Sequence, residues 1–508
     1  MLQWMIARTY SGALDQLKAY GVCSEVHVEK GLPRFDIIGL AQTAVQESKQ
    51  RVLSAIENTG LSLGPRKIIV NLAPASQKKE GTQFDLSVAV GLLVGCGLTD
   101  LGAHSDRVFL GELSLDGEIK KVHACLAIIK GLKALGFKNF AIPMANLRES
   151  QWISDIECIG FSTLSELLQY FTSHQMPVQS FEASPSKTEL LNPMDWSDVK
   201  GQHGAKRALE IAAAGGHNVL LKGPPGVGKT LLAQRFTHIL PPLSLQDQAQ
   251  IQSLQSILGI EIEKSPQRPV RSPHHSISLA GMMGGGRPFR MGECSRAHLG
   301  VLFLDEFPEF RRDVIEALRE PLESKTFHIS RAQGAYTLPA DFQLIAAMNL
   351  CPCGAMGDQS LSCSCNPSAV YRYQRKISGP ILDRISLHVM MEKVPWKHIW
   401  EQKSGETGHE VQKRVIQARK LQSQRLGEGL CNANMSHDQI KKFVQLDSET
   451  ETLLDRAVEK HGLSARSMIH LLKVTRSIAD LEQQKKITRL HVLEALQFRK
   501  SSQELVLS

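Results

Sequence analysis

The sequence predicts an α/β protein: a parallel-stranded core, preceded by a separate α/β domain and followed by a helical region. Three observations support this. A glycine-rich loop pattern, G-x-x-x-x-G-K-[ST], fits residues 223–230, between an apolar run and a helical pattern. Short β-branched runs alternate with helical patterns before it. Apolar residues at helical spacing dominate after residue 395.

Length and composition agree with several globular domains. At ~150 residues per domain, 508 residues correspond to about three domains. Apolar residues make up 42% of the chain and charged residues 22%, which excludes a largely disordered chain or a coiled-coil rod. The net charge of +8 permits a polyanionic partner but does not require one.

No segment has the pattern of a membrane span or a signal peptide. The longest apolar run, residues 86–98, is shorter than the ~20 residues that a spanning helix needs. The start of the chain lacks a basic region, an apolar stretch and a small-residue cleavage site. We therefore expect a cytoplasmic protein with no membrane partner, whose ten cysteines are reduced or metal-bound.

Residues 1–172 are predicted to form the first α/β domain. Residues 67–74 and 107–113 are short β-branched runs bounded by turn residues, which is typical of strands. Residues 44–60 are predicted to form a helix that ends at a glycine. Its apolar face consists of Val45, Val52, Leu53 and Ile56.

The core is predicted over residues 194–394. Residues 218–221, 301–305 and 342–348 are almost continuously apolar, as expected for central parallel strands buried on both faces.

The segments on either side of the core differ from it in composition. Residues 173–193 are polar and contain three prolines, so they are predicted to be a linker. Residues 395–508 are predicted to form a helical lid domain that includes helices over 464–484 and 488–499.

The glycine-rich loop follows a strand and opens a helix, the context that a phosphate-binding loop requires. Backbone N–H groups can then surround phosphate oxygens at the positive end of the helix. Lys229 is expected to reach the β- and γ-phosphates, and Thr230 to hold Mg²⁺. An ordinary glycine-rich turn is the alternative interpretation. The residues predicted to bind the nucleotide are Gly223, Pro224, Pro225, Gly226, Val227, Gly228, Lys229, Thr230 and Asp305.

Two carboxylates follow the apolar run at residues 301–304. They stand at the carboxyl end of a predicted parallel strand, where open α/β sheets bind ligands. Asp305 is expected to hold Mg²⁺ together with Thr230, and Glu306 to polarise the attacking water. Together with the phosphate loop, this pair predicts ATP and Mg²⁺ as cofactors.

Four cysteines lie within fifteen residues, at Cys351, Cys353, Cys363 and Cys365. Four thiolates match a closed tetrahedral zinc site, which predicts a structural Zn²⁺. The C-x-C spacing is less diagnostic than C-x-x-C, so free thiols or a labile disulfide remain alternatives.

Several longer stretches resemble a known family. GPPGVGKT, VLFLDE and the strand that ends at Asn349 resemble AAA+ ATPases. The stretches RSPHHSIS, GECSRAHLGVLFLDEFPEF, ISRAQGAYTLPADFQLIAAMN and SGPILDRISLHV are similar to the magnesium-chelatase-like branch, specifically the ComM (YifB-type) family. The similarity extends over nearly the whole chain. The family has proline where Leu350 stands here.

The resemblance implies roles for three further residues. Asn349 matches the sensor 1 residue that orients the lytic water. Arg384 matches an arginine finger that enters the neighbouring subunit's site, and Arg466 matches the sensor 2 arginine of the lid. The alternatives are a structural salt bridge from Arg384 to Asp383 or a lid acid, and a solvated helix arginine at Arg466. A finger acting in trans requires an oligomer, and the family implies a hexameric ring.

Two insertions are candidates for DNA contact. Residues 281–293 combine three consecutive glycines with basic and aromatic residues, and residues 325–341 are predicted to form a basic hairpin that also carries Lys325 and His328. Such tips can bind phosphates by charge and bases by stacking. The resemblance implies that both face the pore of the ring, and the alternative is that they pack a subunit interface. The predicted DNA residues are Arg287, Phe289, Arg290, Arg331 and Tyr336.

The first domain resembles the Lon-protease-type fold. The positions that correspond to the nucleophilic serine and the lysine of a Lon-type enzyme fall near Gln83 and Leu126 in this sequence, so we expect a non-proteolytic domain. The adjacent Thr82 is the alternative candidate for the nucleophile. Four lysines of this domain are interpreted as solvated surface residues: Lys78, Lys79, Lys120 and Lys121.

The resemblance implies an ATP-dependent hexameric motor on single- and double-stranded DNA. It would act as a helicase and in branch migration during natural transformation, with a recombinase as a candidate partner. The main alternative is a chelatase-like ATPase that remodels a protein for metal insertion. A protease is disfavoured by Gln83 and Leu126, and a non-enzymatic scaffold by the complete set of hydrolysis residues.

Overall fold

The computed structural model describes residues 6–15, 17–173, 175–177, 195–260, 266–286, 289–331, 334–358, 360–395 and 405–499. It divides into two compact units. The first comprises Met1–Lys187 and Ser244–Pro266, and the second comprises Thr188–Leu243 and Gln267–Ser508. The predicted linker, residues 173–193, lies almost wholly outside the described residues.

A seven-stranded mixed sheet forms the centre of the first unit. Its strands and those of a small antiparallel ribbon are β1 (Ala7–Asp15), β2 (Lys18–Lys30), β3 (Arg34–Ile38), β4 (Arg66–Ala73), β5 (Val108–Phe109), β6 (Glu112–Leu113), β7 (Ile119–Lys120), β8 (Asn139–Pro143) and β9 (Glu157–Phe161). The sheet order is β3-β4-β2-β1-β5-β8-β9, and β6 pairs with β7. Strand β2 is antiparallel to both of its neighbours, and the remaining pairs are parallel.

The strand predicted at 67–74 is β4, whereas the strand predicted at 107–113 is divided between β5 and β6. The division falls at Gly111, where the chain leaves the sheet. A Cβ at this position would lie 2.8 Å from a methyl group of Ile119, so only glycine allows the close approach.

Six α-helices are described in the first unit. They are α1 (Thr43–Asn58), α2 (Asp85–Gly95), α3 (Cys125–Ala134), α4 (Leu147–Ser150), α5 (Leu164–Ser173) and, later in the chain, α8 (Leu245–Ile257). In α1 the predicted apolar face is buried at Val45, Val52 and Ile56. Helix α2 contains the longest apolar run and is buried from Asp85 to Leu93, so that run is a core helix.

Helix α8 packs in the first unit although its sequence lies inside the predicted ATPase core. It buries Ile251, Gln252 and Ser256. The Ser256 hydroxyl donates to the buried carboxylate of Glu149 at 3.2 Å, and Glu149 also accepts from the backbone N–H of Leu126 at 3.0 Å. The insertion therefore contributes both apolar surface and a hydrogen bond to a carboxylate that burial would otherwise destabilise.

An all-parallel five-stranded sheet forms the core of the second unit, as the apolar runs predicted. Its strands are β10 (Val219–Lys222), β11 (Val270–Arg271), β14 (Val301–Leu304), β17 (Gln343–Met348) and β18 (Leu387–Met390), in the order β11-β14-β17-β10-β18. Every residue of β10 and β14 is buried, because the sheet is covered on both faces.

Two antiparallel hairpins project from this core. They are formed by β12 (Gly284–Gly285) with β13 (Arg290–Met291), and by β15 (Thr326–Arg331) with β16 (Gly334–Pro339). The helices before and between the strands are α6 (His203–Gly215), α7 (Lys229–Arg235), α9 (Leu279–Met283), α10 (Glu293–Arg296), α11 (Arg312–Ala317), α12 (Arg319–Ser324), α13 (Pro367–Gln374) and α14 (Gly379–Leu382).

The end of the described chain is helical, as predicted. It comprises α15 (Gly408–Leu426), α16 (His437–Phe443), α17 (Ser448–His461), α18 (Ala465–Leu481) and α19 (Arg489–Gln497). Helix α18 buries Leu471, Val474 and Ile478 in the same core as the parallel sheet. It ends before residue 484 because Gln483 adopts a left-handed φ of 57°. None of the helices within the described ranges combines the length and apolar composition that crossing a bilayer requires.

Candidate functional site

The glycine-rich loop connects β10 to α7 at the carboxyl end of the parallel sheet. Gly226 and Gly228 adopt φ angles of 77° and 93°, which other residues rarely adopt. Gly223 is required for a different reason, because a Cβ there would lie 2.4 Å from the carbonyl oxygen of Met391. The strand, loop and helix N-terminus therefore have the arrangement that binds phosphate groups.

Lys229 is buried at the start of α7 and points into this loop. Its Nζ donates to the carbonyl oxygens of Gly223 at 2.7 Å and Pro224 at 2.9 Å. It also donates to Oδ1 of Asn349 at 2.9 Å. Burial lowers the pKa of Lys229, and the carboxylate of Asp305 partly offsets this effect. Asn349 reaches the lysine because it follows β17, the strand next to β10.

Thr230 and Asp305 form the second contact of the site. The Thr230 hydroxyl donates to Oδ2 of Asp305 at 2.6 Å, and Oδ1 of Asp305 accepts the backbone N–H of Glu306 at 2.9 Å. A hydroxyl and a carboxylate are hard oxygen donors of the kind that Mg²⁺ prefers. The pair therefore fits the Mg²⁺ that accompanies a nucleotide triphosphate.

Glu306 contacts a histidine that was not among the predicted site residues. Its Oε2 lies 3.2 Å from Nδ1 of His275, and the ring of His275 packs at 4.1 Å from that of His274. Glu306 adopts a left-handed φ of 50°, which directs the chain away from β14. The HH pair of RSPHHSIS was the available signal, but sequence spacing alone does not bring residue 275 beside residue 306.

Glu323, near the end of α12, joins the two predicted catalytic arginines. Nη2 of Arg384 donates to one of its carboxylate oxygens, and Nη2 of Arg466 lies 3.2 Å from the other. The alternative partner Asp383 instead accepts from the hydroxyls of Ser464 and Ser467. The alternative interpretation of Arg384 named Asp383 or a lid acid as its salt-bridge partner, whereas the observed partner is Glu323, a glutamate of the core.

Arg384 lies at the amino end of the parallel strands, whereas the phosphate loop lies at their carboxyl end. It precedes Leu387, which pairs with Val219, the first residue of β10. The phosphate loop follows Lys222, the last residue of β10. At about 3.3 Å per residue, the length of the strands separates these two ends of the sheet by on the order of 10 Å. Arg466 contacts the same carboxylate of Glu323 as Arg384, so both guanidinium groups lie at the amino end of the sheet.

The structure brings two of the predicted DNA residues into contact. The rings of Phe289 and Tyr336 stack with centroids 4.5 Å apart and planes 12° apart, which joins the two hairpins. Arg290 is exposed beside them on β13. Arg287 lies outside the described residues, and for Arg331 the backbone is described as the last residue of β15.

The four clustered cysteines come together as predicted for a metal site. Their sulfur atoms all lie within 4.8 Å of one another. Cys351 and Cys353 are 3.3 Å apart, and Cys353 and Cys363 are 3.6 Å apart, too far for an S–S bond of about 2.05 Å. A hydrogen bond from the backbone of Ala355, together with the neighbouring thiols, lowers the pKa of Cys353 to about 6. This favours the thiolate form that binds metals.

The residues singled out in the first domain have structural partners. The Thr82 hydroxyl donates to the carboxylate of Glu112, and Leu126 is fully buried. Gln83 donates to the carbonyl oxygen of Glu80 at 3.1 Å. Lys79 is buried and donates to the carbonyl oxygen of Pro74, so its interpretation as a solvated surface lysine is wrong.

Comparisons with known proteins match nearly the whole chain. Family models described as "Magnesium chelatase, subunit ChlI", "Subunit ChlI of Mg-chelatase" and "Magnesium chelatase, subunit ChlI C-terminal" match residues 195–399, 24–146 and 405–499. Competence protein ComM of Haemophilus influenzae is 38% identical over 501 residues, covering 97% of each chain.

Two further relatives are similar over different lengths. YifB of Escherichia coli is 40% identical over 486 residues, covering 94% of this chain and 93% of its own. The DNA repair protein RadA of Listeria monocytogenes is 30% identical over 131 residues, 25% of this chain and 28% of its own. The parallel sheet and the helical C-terminal region fit a chelatase-like AAA+ fold. The chain belongs to the ComM/YifB-type family of magnesium-chelatase-like proteins.

Proposed function

We propose that this protein is an ATPase that assembles into a ring and uses ATP hydrolysis to move along DNA, as a helicase and in branch migration. The observation that carries the proposal is the separation of two groups of residues. Lys229, Thr230 and Asp305 meet at the carboxyl end of one parallel sheet, whereas Arg384 lies at its amino end. A site completed by an arginine from a neighbouring copy explains this separation.

In this proposal the backbone of residues 223–228 binds the phosphates, and Lys229 neutralises charge on the β- and γ-phosphates. Thr230 and Asp305 hold Mg²⁺, which supplies positive charge next to the phosphates when it is bound. Glu306 accepts a proton from the attacking water, and Asn349 orients that water. The contact between Asn349 and Lys229 at 2.9 Å supports a shared position beside the γ-phosphate.

A cavity of about 590 Å³ beside the phosphate loop suits the nucleotide base. Residues 201–205 and 390–395 contribute its lining. Gln202 connects the two segments to the loop, because its Nε2 donates to the carbonyl oxygens of Val227 at 3.1 Å and Glu392 at 2.7 Å.

Ring assembly follows from the position of the arginines. If Arg384 and Arg466 stabilise the transferring phosphoryl group, they do so in a neighbouring copy. The reason is that both lie at the amino end of the sheet, away from the phosphate loop of the same chain. A head-to-tail interface gives a ring when its rotation closes, and the family resemblance implies a closed ring of six subunits. An arginine supplied in trans contributes about 10³–10⁵ to the rate.

DNA is the proposed track, on two kinds of support. The stacked pair of Phe289 and Tyr336 with the exposed Arg290 offers aromatic faces and a cation at the tips of two hairpins. The printed names of two relatives refer to competence and to DNA repair. Exchanging Arg290 and Arg331 together for alanine should weaken DNA binding and its salt dependence while assembly is retained.

Three finer assignments belong to the same proposal. Zinc held by the four cysteines is structural, since four thiolates leave no open position. The first domain has a Lon-type fold without peptidase activity, because Gln83 and Leu126 replace the catalytic pair. The protein works in the cytoplasm during natural transformation, where a recombinase is a possible partner on the DNA.

The direct test is an assay of strand displacement and branch migration that compares wild type with Glu306→Gln. The variant should bind ATP with unchanged affinity and lose hydrolysis, because the amide cannot accept the proton. It should therefore fail in both DNA assays. Wild-type protein that hydrolyses ATP but moves no DNA would contradict the DNA role alone.

The chelatase family models favour a second candidate function, the remodelling of a protein partner for metal insertion into a tetrapyrrole. The two functions share the ATP site and differ in what stimulates it. DNA should raise the ATPase rate in the first, and have no effect in the second.

A further inference from the structure

The cysteine loop, defined as the described residues of 351–365, packs directly on the phosphate loop. A Cβ on Gly354 would lie 3.2 Å from Cδ of Pro225, and one on Gly357 would lie 3.8 Å from Cδ of Pro224. Gly354 adopts a φ of 80°, so its conformation and its contact with the proline both favour glycine. The two loops are therefore in van der Waals contact, with no side chain of the cysteine loop between them at Gly354.

A second contact joins the cysteine loop to the segment after β18. Nζ of Lys393 donates to Oδ2 of Asp358 at 3.4 Å and to the hydroxyl of Ser360 at 3.1 Å. Lys393 also contributes to the proposed base cavity. The cysteine loop thus contacts the site from two directions, at the phosphate loop and beside the cavity.

The cysteine loop has little apolar surface with which to hold this shape. It contains no helix or strand among its described residues, and most of them are exposed or half-buried. What brings its two ends together is the cluster of four sulfur atoms within 4.8 Å. A metal bound by these thiolates would supply the ordering free energy that packing does not.

We propose that zinc bound by Cys351, Cys353, Cys363 and Cys365 braces the phosphate loop through Pro224 and Pro225, so that zinc occupancy sets the affinity for nucleotide. The inference rests on the proposed function in one respect, that this loop binds the phosphates of ATP. Without zinc, the cysteine loop is free to leave the prolines, and nucleotide binding must then order both loops. We expect nucleotide affinity to fall about tenfold, which corresponds to about 1.4 kcal/mol.

The experiment measures metal and nucleotide separately on the full-length protein. Zinc content is determined by elemental analysis, and the dissociation constant of a fluorescent ATP analogue is determined by titration. Zinc is then removed under reducing conditions and added back to the same sample. We expect one zinc per chain, about tenfold weaker binding after removal, and recovery after addition.

Variants separate the metal from the contact. Cys353→Ser should lose zinc and weaken nucleotide binding, whereas Cys23→Ser, outside the cluster, should change neither. Gly354→Ala should keep zinc and still weaken binding, because its Cβ presses on Pro225. Gly60→Ala is the matched control, since Gly60 has a similar φ of 83° with no atom within 4 Å of a Cβ.

The outcomes distinguish the inference from the proposed function. Protein that binds no zinc, or that binds nucleotide equally well with and without it, overturns the inference and leaves the ATPase intact. If zinc-loaded wild type binds no nucleotide, the proposed function itself fails. If the cysteine variant is unfolded, the removal and return of zinc in wild type and the alanine variant at Gly354 still decide the question.

Discussion

At the scale of single residues, Glu323 has a position that no sequence pattern indicates. Its carboxylate holds Arg384 and Arg466 together within one chain, although both are proposed to serve a neighbouring ATP. The same guanidinium groups cannot fully engage a carboxylate and a triphosphate at once. If the proposed function is correct, we expect Glu323 to compete with the nucleotide of the neighbouring copy and so to oppose assembly.

Replacing Glu323 with glutamine should make ATP-dependent assembly easier. Glu323 is 55% exposed, and exposed ion pairs contribute about 0.2–1 kcal/mol, so the protein concentration at half-assembly should fall about 1.5- to 5-fold. Sedimentation velocity in the presence of a non-hydrolysable ATP analogue measures this concentration. Glu320→Gln, on the same helix, is the control. A higher concentration for Glu323→Gln would mean that the glutamate supports the ring instead.

The residues of the nucleotide site could be predicted because each one stands in a local pattern. Glycines, a lysine and a hydroxyl follow one buried strand, and two carboxylates follow another. His275 and Glu323 could not be predicted, because their contacts with Glu306 and Arg384 join segments far apart in sequence. For the same reason, the alternative interpretation of Arg384 named other partners than the one observed, and Asp383 instead accepts hydrogen bonds from two serines.

At the scale of elements, the two hairpins act together because Phe289 and Tyr336 stack on each other. Tyr336→Ala should weaken binding to single-stranded DNA by about 1–3 kcal/mol, because a stacking face is lost, and should leave the salt dependence unchanged. Arg290→Ala should instead reduce the slope of log affinity against log salt by about 1.

Fluorescence anisotropy at several salt concentrations separates these two effects. Thr337→Ala is the control, since successive residues of a strand point to opposite faces. If both alanine variants bound DNA like wild type at every salt concentration, the hairpins would not be the DNA-contacting surface.

The strands β4, β10, β14 and β17 and the helices α1, α18 and α19 could be predicted at this scale, because short apolar or β-branched runs and helical spacing leave clear patterns. The pairing of α8 with the first unit could not be predicted, since its glutamine-rich sequence has little amphipathic pattern. The buried ion pair between Arg425 and Asp480, at 2.6 Å, was not indicated either. Such a pair depends on which helices meet, and its sequence pattern resembles that of exposed charges.

At the scale of the whole molecule, we expect three buried or half-buried histidines to make the second unit sensitive to acid. Burial lowers the pKa of His470 to about 3, and burial with neighbouring cations lowers those of His217 and His388 well below 6.5. The unfolded chain therefore binds protons below about pH 6.5 that the folded unit does not bind. Stability should be complete above this pH and fall as the pH decreases toward 3, by up to about 1.4 kcal/mol per histidine per pH unit.

The melting temperature at pH 7.5 and pH 5.5 checks this prediction. His470→Gln should reduce the difference between the two values, whereas His437→Gln, at an exposed position, should not. An equal loss on acidification in wild type and His470→Gln would show that other groups control the acid sensitivity.

The proposed function requires that each ATP is hydrolysed between two copies, and mixing two inactive variants tests this requirement. Lys229→Ala removes the lysine of the phosphate loop, and Arg384→Ala removes the arginine at the amino end of the sheet. Each should be inactive alone. If the arginine acts in trans, an equal mixture contains intact sites where the two variants adjoin, and should recover up to about a quarter of the wild-type ATPase rate. Mixed rings that recover no activity would contradict the account.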